Sequence, residues 1–499
     1  MVSFLVTKNN KTFKLKDIPS LDINTFRDQI IKECKNNKRI VSFFCEKLEK
    51  FVILYAILAS DEESKLYISS TLFKNEKSYP SITQEIQSFH LFEREFYEET
   101  GILPENHPFL KPVRYSKDRF DQNQKIEDYP FFKIEGKSIH EVGVGPVHAG
   151  IIEPGHFRFN CHGENIDHLE IQLGYQHRNI EKLFIQNQSS FYNLMILAES
   201  IAGDSTIANG LAFTHSIEAL TNTNISRKSQ SIRGIALELE RSAMHIGDLS
   251  AICGDVAFLF GNSVFGAIRT LVINTLLKIC GNRFGKGLLR VGGVNYDIDT
   301  NLNQEIKKTL NKVSKDVAGI ADIMFSSPSV CERLEKTGIV DFDTAKKIGL
   351  VGMAGRASGI NYDVRYNHPF GIYNYYPLYV LKLEGGDVFA RSYIRYMEIM
   401  HSINFILEQL DSFPDYDLMT KEVGSIAKDS MVVSMVEGFR GEIVHSVITD
   451  NKGNICRYKI KDPSFNNWFG LAMAVRDNEI SDFPLCNKSF NLSYCGFDL

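Results

Sequence analysis

Residues 232–260, IRGIALELERSAMHIGDLSAICGDVAFLF, place apolar side chains at i, i+3, i+4 and i+7 along their whole length. That spacing predicts a long core helix. VFARSYIRYMEIMHSINFILEQLDSF, at 388–413, repeats the behaviour, and the stretch from 190 to 420 reads as mostly helical.

The flanks read differently. RIVSFFCEKLEKFVILYAILAS and KLYISSTLF are rich in β-branched and aromatic residues and predict strands, and SFHLFEREFYEETG predicts an acidic helix. Residues 1–115 therefore form a small α+β unit. Residues 116–140 are polar, aperiodic and interrupted by proline, which predicts a linker. A second domain, 141–499, opens with the alternating runs HFRFNCH and DHLEIQLGY, expected to form a small sheet. Strands return at 431–461 with DNKGN as a hairpin turn, and the last segment reads as one helix and an irregular tail. The expected fold class is α+β: a small N-terminal α+β domain followed by a mainly α-helical domain with small sheets.

The net charge of −5 over 499 residues is weak and argues against a nucleic-acid partner. The nine cysteines are dispersed and form no CxxC pair, so neither zinc nor an iron–sulfur cluster finds its usual local spacing. An odd number of scattered thiols suits a reducing compartment. The longest uninterrupted apolar run, FVILYAILAS, is about half of what a bilayer span needs, so any membrane connection is expected through partner subunits.

Catalytic motifs are scarce. There is no GxGxxG, no phosphate-binding GxxxxGK[ST] loop and no GxSxG. GKGLLRVGGVNYD and GLVGMAGRASG read as loops between helices. EPGHFRF offers Glu153, His156 and Arg158 in a turn, where such residues serve either a site or the loop itself. Cys495 is a lone thiol. Glu238, Arg241, His245 and Asp248 of ELERSAMHIGD read as a helix-packing polar network rather than ligands, because unpaired charges inside a bundle are costly. IAGDSTIANG, at 201–210, is a short polar interruption in helical surroundings.

Several strings together resemble one family. VGVGPVHAGIIEPGHFRF, GYQHRNIEKL, ELERSAMHIGD, RFGKGLLRVGGV, RASGINYDVRYNHPFG, GGDVFARSYIRYMEI and DPSFNNWFGLAMAV are similar to the large subunit of energy-converting group 4 nickel–iron hydrogenases, of the hydrogenase-4 and formate-hydrogenlyase type. More distantly they resemble the 49 kDa quinone-site subunit of complex I. FEREFYEETGILPENHPFLKPVRY resembles the signature of the 30 kDa complex I subunit, and the likeness spans roughly 40–499.

In that hydrogenase family four thiolates, in two CxxC pairs, hold nickel and iron, since soft sulfur ligands suit the bimetallic centre. The resemblance places Ala202 and Ser205 at the first pair and Ser493 and Gly496 at the second, so all four ligands are vacated. A one-residue slip makes Cys495 a ligand but leaves three vacancies. Asp204 and Ser205 are expected to form a hydrogen-bonding pair that organises what fills the gap. Family members also carry a C-terminal extension cleaved after nickel insertion, and a chain ending at Leu499 is expected to be unprocessed.

The resemblance thus implies a non-metallated subunit of a membrane-bound redox complex of the hydrogenase-4 or NADH-quinone oxidoreductase type. It would bind no metal itself and would sit on a small iron–sulfur subunit, beside that partner's cluster. There it would shape a cavity for an electron acceptor, quinone being one candidate. Antiporter-like, proton-translocating membrane subunits are the further expected partners, and the expected place is cytoplasmic, on the inner face of the membrane. His148 and Glu153 are the catalytic candidates, and His156, Arg158 and Tyr192 the substrate-binding ones. A structural docking subunit without substrate, or a residual hydrogenase with unusual ligands, are the alternatives.

Overall fold

The computed structural model describes residues 3–136, 138–148 and 152–499. In the N-terminal part the strands Arg39–Lys47, Val52–Ser60 and Lys65–Phe73 form an antiparallel meander, and Leu5–Thr7 and Ser20–Leu21 both pair with the third strand. These strands are buried along nearly their whole length rather than on alternate residues, because the sheet is covered on both faces. Helix His90–Thr100 covers one face. From the other side Arg457 donates to the Cys45 carbonyl at 2.9 Å, and Arg39 grips Glu442 at 2.7 Å.

A second sheet pairs Ile139–Val144, His156–His162 and Asn165–Gln172 in antiparallel order. A third contains Ser430–Glu437, Glu442–Thr449 and Ile455–Lys461, with the DNKGN turn between the last two. Its edge is completed from far away in sequence: Phe13–Lys14 pairs with Ser430 and Met431.

The helices form the bulk. Arg227–Asp255 is the central one, packed between Leu259–Cys280 and Val388–Asp411. Ser226 and Asp387 cap the first and third of these, their side chains accepting from Ser229 N and Ala390 N. Between them lies a dry ionic network. Glu398 accepts from Arg356 at 2.5 Å and lies 2.9 Å from His245 Nε2. Arg241 reaches Glu238 at 3.0 Å, and Arg395 reaches Asp248 at 2.8 Å. Glu238, Arg241, His245 and Asp248 of ELERSAMHIGD are thus bound to one another and to the facing helix. The arrangement is α+β, with helices and sheets segregated along the chain.

His156 and Arg158 lie on the strand His156–His162, as the alternating run HFRFNCH predicts. Two sequence expectations need correction. The glycine-rich stretch at 352–357 is a helix, Gly352–Ala357, not a loop. The tail is helical, as Phe483–Phe490 and Tyr494–Asp498, because Ser493 supplies an N-cap that the apolar pattern does not reveal. Leu259–Cys280 is long and apolar enough to cross a membrane by composition alone. Asn262, Arg269 and Asn274 interrupt its apolar runs, which hides it from a search for unbroken stretches. One face packs against Arg227–Asp255 and Thr300–Ser326, and the other leaves Leu259, Phe260 and Leu277 exposed.

Candidate functional site

The loop at 201–205 joins helices Phe191–Ala198 and Thr206–Leu220 and meets the C-terminal turn around residues 491–496. Arg178 bridges the two, donating to the carbonyls of Ser200 and Ile201 at 2.7 Å and of Cys495 at 3.4 Å. Ala202, Ser205 and Ser493 are each no more than 3% exposed, and Gly496 is buried with them. The four positions read as vacated therefore line one buried corner.

What occupies that corner is hydrogen-bonded protein. Ser493 Oγ accepts from Gly496 N at 2.9 Å, so the hydroxyl starts the last helix. Asp462 caps the preceding helix, Pro463–Ala474, through Ser464 N at 2.8 Å. Its second oxygen, Oδ2, is buried without a partner among the described residues, and burial holds this carboxyl above its ordinary range. A Cβ placed on residue 496 would lie 2.5 Å from Asp462 Oδ2 and 2.8 Å from Ser493 Oγ. Any side chain there would have to displace those two side-chain ends.

Asp204 does not pair with Ser205. It is held by Arg440, whose guanidinium donates to both carboxylate oxygens at 2.9 and 2.6 Å and also binds Asn491. The reason is charge: a buried guanidinium in the tight turn between two buried strands needs a carboxylate, and Asp204 is the one within reach. Helix Thr206–Leu220 takes its N-terminal cap from another helix, because Glu240 accepts from Ile207 N at 2.7 Å and Ala208 N at 3.1 Å. Burial pushes Glu240 up to about 8 despite those two donors.

Of the candidate residues, Glu153 comes to this corner: its carboxylate accepts from Cys495 N at 3.4 Å. The Cys495 thiol stands 3.5 Å from Ser493 Oγ, and burial pushes it up to about 11, so it is a thiol rather than a thiolate near neutrality. His148 folds back on its own loop, its Nε2 at 2.9 Å from the Gly155 carbonyl. His156 and Arg158 bond to each other at 3.3 Å, and their other partners are Gly145 and Glu141. Tyr192 is 73% exposed on the helix leading into the 201–205 loop.

Sequence reading missed Arg178, Arg440 and Asp462. A signal exists for each: an arginine in GYQHRNIEKL, one in the turn GFRGEIV, and an aspartate before proline at a helix start. Together the corner offers carboxylates (Glu153, Asp204, Asp462), two arginines and a protonated thiol, a set that binds protons and orients polar groups. These residues do not fit a thiolate-held nickel–iron centre. Among the described residues, no three His, Cys, Asp or Glu side chains are placed to share a metal ion.

Comparison with known proteins places this geometry. The family described as respiratory-chain NADH dehydrogenase, 30 Kd subunit, matches residues 16–132, and the 49 Kd subunit family matches 261–431 and 416–498. The chain fuses a 30 kDa-like and a 49 kDa-like complex I domain. Among its relatives are hydrogenase-4 component G of Escherichia coli K12, 27% identical over 89% of this chain and 80% of the relative, and formate hydrogenlyase subunit 5 of the same organism, 28% identical over 90% and 82%. The fused C/D protein of NADH-quinone oxidoreductase from Bacteroides thetaiotaomicron is 25% identical over 83% of this chain and 84% of its own length. The fold is shared with a chain of the membrane-bound sulfane sulfur reductase, an archaeal respiratory membrane complex: TM-score 0.68, 20% identity, 74% of this chain and all of that one. The resemblance to the large subunit of hydrogenase-4-type enzymes holds.

Proposed function

We propose that this chain is a non-metallated, hydrogenase-large-subunit-like subunit of a membrane-bound energy-converting redox complex. It carries no nickel–iron centre, sits on a small iron–sulfur subunit, and shapes a cavity in which an electron acceptor, quinone being one candidate, meets that partner's cluster. Antiporter-like membrane subunits complete the assembly, and the chain lies peripherally on the inner face of the cell membrane. The observation that carries this reading is residue 496. The place a ligand's Cβ would take is closed by Asp462 and Ser493, so the loss of the thiolates comes with a rebuilt, hydrogen-bonded corner. The names of the relatives, hydrogenase-4 component G and the C/D protein of NADH-quinone oxidoreductase among them, support the assembly.

In this reading Glu153 holds or relays a proton at the carboxylate that faces Cys495, and His148 positions the loop that carries it. A second reading is a docking subunit without substrate, and the near-complete burial of Ala202, Ser205 and Ser493 favours it.

The test is the metal content of the purified complex together with the identity of its polypeptides. Expected are substoichiometric nickel and co-purification of an iron–sulfur subunit with membrane subunits. Stoichiometric nickel would overturn the proposal in favour of a residual hydrogenase. Inhibition by a quinone analogue, together with lost electron transfer in an intact His148→Ala complex, separates the redox cavity from the docking role.

A further inference from the structure

A cavity of about 300 Å³ opens where the two complex I-like domains meet, away from the 202–496 corner. Its walls are mainly apolar: Leu91 and Phe109 from the N-terminal domain, Leu169 from the second sheet, and Trp468, Phe469 and Phe497 from the C-terminal helices. This size and lining suit a small ligand.

Most of its polar side chains are paired, Arg94, Glu170 and Gln172 among them, but the Arg476–His168 pair is not fully so. Arg476 Nη2 lies 3.4 Å from His168 Nδ1; the guanidinium must donate, so Nδ1 accepts and the imidazole hydrogen sits on Nε2. That Nε2 and the Nε of Arg476 are both buried without a hydrogen-bond partner among the described residues. The Tyr129 hydroxyl has the Glu170 carboxylate beside it. Two unpaired donors on adjoining side chains is a costly arrangement that an acceptor would relieve.

The charges around the cavity have one sign in excess. Lys111 and Glu170 neutralise each other at 2.5 Å, and His90 and His168 are both held below their ordinary range by burial. Arg94 and Arg476 remain, and Arg94 spends its donors on the carbonyls of Lys111 and Pro112.

We propose that this cavity binds a small amphipathic anion, an acyl or aromatic body in the apolar cleft with its oxyanion on Arg476 and His168. The inference is independent of the reading of the vacated metal corner.

Trp468 is the only tryptophan of the chain and lies in the cavity wall, so the full-length protein reports on it directly. Titration with decanoate is expected to change Trp468 emission saturably below about 1 mM. Decanol, which has the same chain without the carboxylate, is expected to bind at least about tenfold more weakly. Arg476→Gln should weaken decanoate by a similar factor while melting temperature and unliganded emission stay unchanged, and Ala472→Phe should abolish the response by filling the cleft. No saturable change in emission, equal binding of decanol, or undiminished decanoate binding by a folded Arg476→Gln protein would each overturn the proposal.

Discussion

Arg440 holds Asp204 through two hydrogen bonds, at 2.9 and 2.6 Å, and so ties the turn between two buried strands to the 201–205 loop. The pair is buried at the arginine and partly open at the aspartate. A double-mutant cycle of Arg440→Ala and Asp204→Ala, read by denaturant unfolding, should give a coupling on the order of 1–2 kcal/mol. Additive single effects would show that the contact does not hold the loop.

Restoring a thiol at 496 should fail physically before it fails chemically. Gly496→Cys brings a Cβ to within 2.5 Å of Asp462 Oδ2, so the variant should lose about 1–3 kcal/mol of stability and bind no nickel. The penalty should shrink in an Asp462→Ala background. Thermal melts of the four proteins measure this, and an undiminished penalty would place the clash elsewhere.

Glu240 gives a pH dependence with a definite sign. Its folded value lies at about 8, above the ordinary 4.5, so between those limits the folded state holds a proton that the unfolded state has released. Its contribution is therefore fully present below about 4.5 and is lost as pH rises through about 8. Glu240→Gln should flatten the fall of melting temperature over that window. An unchanged slope would mean that the two backbone donors keep the carboxylate ionised.

Glu398 binds two buried arginines and His245 at once. Glu398→Ala takes one carboxylate partner from Arg356 and Arg241 and the partner of His245 Nε2, and should cost on the order of 3–5 kcal/mol, enough to threaten folding. Urea midpoints of Glu398→Ala and Glu398→Gln check it: the amide, which keeps shape and part of the hydrogen bonding, should lose less.

Sequence periodicity revealed the long helices and the second sheet because each has a face whose apolar spacing is local, whereas the first sheet, buried on both faces, showed through its β-branched and aromatic composition. The helical tail stayed hidden because its start depends on one serine hydroxyl, which is a capping contact and leaves no periodic trace. The resemblance singled out Ala202, Ser205, Ser493 and Gly496, which are all buried, but not the side chains that surround them. Asp204 meets Arg440 across 236 positions and Gly496 meets Asp462 through space, and no pattern of nearby residues encodes such pairings. Ser205, adjacent to Asp204, was the plausible partner on proximity alone. A buried guanidinium outweighs it, because leaving that charge unpaired costs more than a hydroxyl hydrogen bond returns.

The pairing of Phe13–Lys14 with Ser430 and Met431 imposes an order on biosynthesis. The first of these segments leaves the ribosome more than four hundred residues before its partner is made. During nearly the whole of translation that ribbon has no mate, and the third sheet closes only in the last stages of synthesis. A nascent chain stalled before residue 430 should therefore expose its amino-terminal stretch to proteases that the finished protein resists.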